Sequence, residues 1–363
     1  MSSHALSRED LLDDPDGIEA ADPDGMLRAV AAAPAQFRAA ATTAAEAGLE
    51  SVAELGRPRA VVVAGMGGSG IAGDALAAVA GLAAPVPVLT HRGYGLPGWV
   101  GPADVVVAVS CSGRTEETLS AAEEAVRRGA RVVTVGAADS PLADLGARGR
   151  GPHVVVPAGG VPRSRIWSLA VPLFVLGDRL GVCHAPASVL DATADLLDLL
   201  TDRYKIGKES FLNPAKNLAL AFADPLPVVW GTSPLAGVAA YRAACQLNEN
   251  SERHAVWGTV PEVNHNQVVP FDDPAAPDRF RLLYLRDSEE HPAVARRVAI
   301  SQDLARERGI GVEEVVAEGD SAVARFASLV AAMDFTSTYL ALLLGFDPSA
   351  MDPIVQLKAR MAE

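Results

Sequence analysis

Two rhythms of apolar residues alternate along this chain. Short β-branched runs, such as Val61–Val63, Val105–Val109 and Val132–Val135, are each followed by a stretch with apolar side chains at helical spacing. Near-continuous valine runs suit strands buried on both faces. Strands alternating with helices predict a mostly parallel sheet covered by helices. Residues 1–22 read as polar, acidic and loose, and Asp22-Pro23-Asp24 as the start of a helix through 24–56. Strands are predicted at 60–65, 86–89, 104–110, 131–135 and 153–157, with helices at 71–81, 115–128 and 141–147 and a helical stretch over 164–200. A more polar segment, 201–217, leads to a second run: a strand opening at Pro227, a helix over 235–250, strands at 280–285 and 311–316, and helices at 290–308 and 321–344.

The second run repeats the first. Val62-Val63-Ala64-Gly65-Met66-Gly67-Gly68 parallels Val228-Val229-Trp230-Gly231-Thr232-Ser233-Pro234. The fold class expected is therefore α/β: two αβα sandwiches in tandem, flavodoxin-like, with mostly parallel sheets. Residues 1–56 are expected as an N-terminal segment, 57–200 as the first domain, 201–345 as the second and 346–363 as a tail with a short helix.

Composition narrows the function. Of the 363 residues 49% are apolar and 21% charged, which supplies a large core. The net charge of −14, from 31 basic and 45 acidic residues, argues against nucleic acid and anionic membranes as partners. Cys111, Cys183 and Cys245 are too scattered for a disulfide framework or a metal cluster, which leads to the expectation of a reducing, cytoplasmic setting without metal. A signal peptide is not expected, because no basic region precedes an apolar core. A membrane span is not expected either, since no uninterrupted apolar run reaches about 18 residues.

Candidate chemistry sits at two turns. Gly65-Met66-Gly67-Gly68-Ser69-Gly70 follows the first strand and opens a helix. Glycine permits positive φ and close backbone approach, and a helix N-terminus offers unpaired N–H groups to an anion. The Gly65-x-Gly67-x-x-Gly70 spacing also matches the dinucleotide fingerprint, but the next strand ends in Thr90, His91 and Arg92, without the acidic residue that would hold a ribose. A phosphate-bearing small ligand fits better. The strand over 104–110 runs into Ser110-Cys111-Ser112-Gly113-Arg114-Thr115, with three hydroxyls at a strand's carboxyl end. Ser110, Ser112 and Thr115 suit a phosphate. The competing reading is an ordinary helix start with Thr115 as its cap.

Together, Gly65–Ser69 and Ser110-x-Ser112-Gly113-x-Thr115-Glu116-Glu117-Thr118 resemble the sugar isomerase (SIS) fold. Pro162-Arg163-Ser164, Asn213-Pro214-Ala215-Lys216, Gln246-x-Asn248-Glu249-Asn250, Pro261-Glu262-x-Asn264-His265-Asn266 and Leu357-Lys358 narrow the resemblance to the bifunctional phosphoglucose/phosphomannose isomerase family, over roughly 60–360. The resemblance implies interconversion of glucose 6-phosphate and mannose 6-phosphate with fructose 6-phosphate through a cis-enediol, with no metal or cofactor, in a homodimer. Isomerisation of another phosphosugar, or phosphosugar sensing without chemistry, are the alternatives.

The resemblance also implies roles. Gly67, Gly68, Ser69, Ser110, Ser112 and Thr115 hold phosphate. Glu249 moves the proton between C2 and C1, with Asn248 and Asn250 placed to orient it and Glu252 and Glu262 as rival carboxylates. His265 opens the sugar ring from the partner subunit, Lys358 lies by the ring and hydroxyl oxygens, and Arg163 stabilises the enediolate, with Arg165 as its competitor. Four features depart from the family pattern: Arg114, in place of an uncharged residue; Cys111, in place of an aromatic; Gln267, in place of an acid; and the Ile166-Trp167 pair, in place of smaller residues.

Overall fold

The computed structural model describes residues 9–361. They divide into two compact units, and the chain interleaves them. One unit is Ala32–Asp198 with Gly319–Ala327; the other is Leu199–Glu318 with the described residues up to Ala31 and those from Ser328 on. The 1–56 and 201–345 stretches read from the sequence are thus each shared between units.

The first unit is built on β1 (Val61–Ala64), β2 (Val88–His91), β3 (Val105–Ser110), β4 (Arg131–Gly136) and β5 (His153–Val155). All pairings are parallel, in the order β2-β1-β3-β4-β5. Every residue of β1 and β3 is buried, which explains their unbroken apolar sequences. Val62, Ala64 and Val106 pack with Ala121 and Ala125 of the Glu116–Arg127 helix. Trp167 of the Ile166–Arg179 helix lies 5.4 Å from Phe37 and meets Phe326 edge-on at 6.1 Å. Ile166 and Trp167, two departures from the family pattern, are therefore core residues of this unit. At the amino ends of the strands Arg59 grips fully buried Asp104 through two hydrogen bonds of 2.9 and 2.6 Å. Burial works against that carboxylate, but Arg59 and the Gly101 N–H outweigh it and hold its pKa below the usual value.

The second unit repeats the plan with β6 (Leu226–Gly231), β7 (Val256–Thr259), β8 (Phe280–Arg286) and β9 (Val312–Val316), parallel and ordered β7-β6-β8-β9. Trp230 anchors its core, meeting Tyr284 edge-on at 5.5 Å and stacking on Phe271 at 6.0 Å. Its indole N–H donates to Gln267 Oε1 at 2.8 Å, which gives that departure a structural reason. Lys216, fully buried, donates to the carbonyls of Leu12, Ile206 and Lys208 and lies 5.5 Å over the Tyr339 ring. Its ammonium fastens three segments of this unit.

Local differences from the sequence reading have local causes. Pro15–Ala21 is helical rather than loose, while residues 1–8 lie outside the described residues. The helix expected over 24–56 is three: Met26–Ala31, Ala33–Glu46 and Glu50–Ala53, with Pro34 opening the second and Gly48, at φ +74°, separating it from the third. Its start is as read: Asp22 accepts from the N–H groups of Met26 and Leu27 at 2.8 Å each. The glycine-turn helix begins at Gly68, earlier than 71. Strand β7 and the Pro214–Ala221 helix are additions; β7 is short and half-exposed, so its sequence lacks a buried strand's run. The Ala322–Leu344 helix is long and apolar enough to cross a membrane by composition, but 94% of its most apolar window is buried within the fold.

Candidate functional site

Strand register sets the site. Ala64 pairs with Ala108, so the turns after β1 and β3 leave the same edge of the sheet side by side. In the first turn a Cβ on Gly65 would come within 2.9 Å of the Ser69 backbone, so only glycine lets the helix start this close to the strand. Gly67, at φ +52°, is the N-cap of the Gly68–Ala80 helix and has no side chain to cap it. Ser69 and Gly70 donate to the Met66 carbonyl and Ile71 to that of Gly67; the N–H groups of Gly67 and Gly68 precede this bonded turn. Gly67 is exposed and Ser69 buried.

In the second turn the hydroxyls bond to one another. Ser110 Oγ is 2.9 Å from Thr115 Oγ1 and 3.5 Å from Ser112 Oγ, which accepts from the Arg114 N–H at 3.3 Å. Thr115 holds the N-cap position of the Glu116–Arg127 helix, but its side chain makes no capping bond. The ordinary-cap reading therefore fails for the hydroxyl, which is spent on the cluster. Ser110 is buried, Thr115 half-buried and Ser112 exposed, so the hydroxyls run from core to surface. Gly113, at φ +65°, keeps the turn tight: a Cβ there would lie 2.2 Å from Ser140 Oγ. Ser140 is fixed in turn, donating to Ala137 O at 2.7 Å and accepting from Ala143 N at 3.3 Å. Three hydroxyls and a helix N-terminus converging on one sheet edge are a donor set for phosphate oxygens.

Around this cradle the structure adds cations. Arg92, at the end of β2, lies against Gly70, whose added Cβ would be 2.8 Å from its Nε, and pairs with Asp74. The sequence reading used Arg92 only to rule out a dinucleotide; the β1–β2 pairing is what brings it to the turn. Arg114 is exposed, and its guanidinium reaches the Asp139 carbonyl at 3.5 Å. Burial pushes the Cys111 thiol pKa up, with Arg165 opposing, so the thiol form is favoured, as packing requires and nucleophilic attack does not. Arg163 is buried in the Pro162–Ser164 turn, whereas Arg165 reaches the carbonyls of Pro157 and Ala158 at its loop.

The other candidates belong to the second unit. Glu249 is half-buried in the last turn of the Pro234–Asn250 helix. Asn248 accepts from Ala255 N at 3.0 Å and Asn250 donates to Ser337 Oγ at 3.0 Å, so these amides fasten the helix end. The same helix carries Arg242, paired with Asp334 at 2.7 Å, and Gln246, both buried. Arg242, Gln246 and Asn250 form an i, i+4, i+8 stripe, a signal present in the sequence but not used. The rival carboxylates Glu252 and Glu262 are exposed, as is His265 in the Glu262–His265 turn. Lys358 is exposed on the Asp352–Met361 helix. The structure thus brings Gly67, Gly68, Ser69, Ser110, Ser112 and Thr115 to one sheet edge, with Arg163 in the same unit, and assigns Glu249, His265 and Lys358 to the other.

Comparison with known proteins gives each sheet a family model of its own. A SIS domain model matches residues 54–148, and the bacterial phospho-glucose isomerase C-terminal SIS domain matches 211–361. A bifunctional phosphoglucose/phosphomannose isomerase of Caldicellulosiruptor bescii is 33% identical over 304 residues, covering 84% of this chain and 89% of the relative. The chain belongs to the bifunctional phosphoglucose/phosphomannose isomerase family. A family member from Aquifex aeolicus is 32% identical over 305 residues, with 84% and 90% covered. The family's fold extends to solved structures. A hypothetical protein of Thermus thermophilus superposes with a TM-score of 0.74 at 16% identity, over 99% of this chain and 96% of that one. The C-terminal domain of glucosamine-fructose-6-phosphate aminotransferase from Francisella tularensis does so with 0.65 at 15% identity, over 90% and 98%.

Proposed function

We propose that this protein isomerises glucose 6-phosphate and mannose 6-phosphate to fructose 6-phosphate, as a cytoplasmic homodimer; its relatives are named phosphoglucose/phosphomannose isomerases, which supports the two aldose substrates. The observation that carries the reading is the pair of turns on adjacent parallel strands, with the mutually bonded hydroxyls of Ser110, Ser112 and Thr115 beside the N-terminus opened by Gly67, Gly68 and Ser69. The 6-phosphate takes this cradle, and the hydroxyls exchange their bonds to each other for bonds to phosphate oxygens.

Aldose–ketose interconversion then needs two proton movements. The ring is opened by transfer to the ring oxygen, a task suited to an imidazole whose two forms interchange near neutral pH. His265 takes it, from the partner subunit, with Lys358 beside the ring and hydroxyl oxygens; the exposure of both supports a role outside their own unit's core. A carboxylate next lifts the C2 proton and returns it to C1 on one face of the enediol. Glu249 takes this role. Its partial burial supports it over exposed Glu252 and Glu262, because a partly enclosed carboxylate can face the sugar carbons and still exchange its proton with solvent between turnovers. Arg163, permanently charged, stabilises the enediolate.

The test is conversion of each aldose phosphate to fructose 6-phosphate by purified protein, followed by nuclear magnetic resonance. The reading predicts that both substrates converge on one equilibrium mixture. Unchanged spectra for both would overturn it.

A further inference from the structure

The internal repeat gives the second sheet a counterpart of the phosphate cradle. There, Gly231 ends β6 and its added Cβ would lie 2.3 Å from the Ala236 backbone, repeating the close approach of Gly65 to Ser69. Each helix begins three residues later, at Pro234 and at Gly68. Gly237 abuts Thr259 of β7 as Gly73 abuts Thr90 of β2, each with a Cβ-to-Oγ1 distance of 2.8 Å. The third strands match too: Tyr284 pairs with Trp230 as Ala108 pairs with Ala64. Three residues past Tyr284 stands Asp287, in the place of Cys111.

The two cradles differ in what fills them. The N-cap of the second helix is Ser233, not glycine, and its hydroxyl accepts from Ala236 N at 3.1 Å. Its hydrogen is thereby directed to Asp287 Oδ2, at 2.8 Å. Asp287 Oδ1 accepts from Glu289 N at 3.2 Å, and Asp287 N donates to Thr232 Oγ1 at 3.0 Å. Asp287 is only 6% exposed. The carboxylate thus meets the hydroxyl of the helix's N-cap and the N–H of Glu289 in its own loop, a negative group beside a helix N-terminus, where an anion is favoured.

We propose that Asp287 is a built-in anion that closes the second cradle, so that each chain holds one phosphosugar. A phosphate dianion would have to displace a buried carboxylate, and like charges at such distances repel strongly. The single site assumed here rests on the reading of the first cradle.

Titration calorimetry of the wild-type protein with 6-phosphogluconate should give one equivalent per chain. Two equivalents would overturn the proposal, whereas none would count against the first cradle instead. In Asp287→Ser the Ser233 and Glu289 donors released from Asp287 should bind inorganic phosphate as a second event, at least tenfold tighter than any second event in wild type, and phosphate should raise its Tm more than that of wild type. Adding Ser233→Ala should abolish that second event. A folded Asp287→Ser that binds no second phosphate would overturn the proposal; if this variant does not fold, the wild-type stoichiometry decides.

Discussion

Ser110 Oγ and Thr115 Oγ1 lie 2.9 Å apart across the turn that follows β3, and neither serves as a helix cap. An N-cap hydroxyl normally bonds to the first turn's N–H groups, and losing that bond costs about 1 kcal/mol. Here both groups face each other, available to a ligand that offers acceptors. Ser112→Ala, at the exposed end of this cluster, should weaken fructose 6-phosphate binding by about 1–3 kcal/mol, the range for a hydrogen bond to a charged group. Calorimetry on the folded variant measures it, and unchanged affinity would remove Ser112 from the site.

A site completed by the partner's His265, as proposed, predicts complementation. Glu249→Gln and His265→Ala homodimers should each be inactive, and mixing them should restore part of the activity, because a hybrid dimer holds one intact site. No recovery after subunit exchange, confirmed by mass spectrometry of the mixed dimers, would refute a histidine donated by the partner.

How much of this was legible beforehand follows from what each residue contacts. The Val61–Val63 and Val105–Val109 runs announce buried parallel strands because both their faces are covered, and the turns after them announce themselves because the backbone geometry demands glycine at Gly65 and Gly113. Strand β7 was hidden because exposed Val256 and Trp257 and half-buried Gly258 and Thr259 carry no buried-strand pattern. Asp287 was hidden because its partners, Thr232 and Ser233, are more than fifty residues away in sequence and are brought close only by the β6–β8 pairing. Arg92 was legible as a cation but not as a neighbour of Gly70, since that requires β2 beside β1.

His153 should give stability a pH dependence. Burial lowers its pKa from the ordinary value of 6.5, and its ring nitrogens meet Thr134 Oγ1 at 2.8 Å and Ala137 O at 3.2 Å. The unfolded chain therefore takes up this proton at a higher pH than the folded one. Stability should fall as pH drops below 6.5 and level off below the folded pKa. Unfolding free energies from denaturant melts, taken from about pH 7.5 to about pH 5, should change less with pH for His153→Asn than for wild type. Identical slopes would assign the dependence elsewhere.

The buried pair Arg242–Asp334 gives a second stability test. Burial raises the Asp334 pKa, opposed by Arg242, so removing the guanidinium leaves an uncompensated buried acid. Arg242→Met should cost about 3–5 kcal/mol, and Arg242→Met with Asp334→Leu should recover most of it. Chemical denaturation of the single and double variants measures this. Additive losses would show that the two side chains do not act as a pair.

Solvent-deuterium incorporation at C2 tests whether Glu249 carries the C2–C1 proton transfer on both aldose phosphates. Wild-type protein in deuterium oxide should label C2 of glucose 6-phosphate and of mannose 6-phosphate, with or without a chelator. Glu249→Gln keeps the shape but removes the base, so it should still bind fructose 6-phosphate while exchange falls by about 10²–10⁴. Exchange by Glu249→Gln at a near wild-type rate would show that another residue is the base.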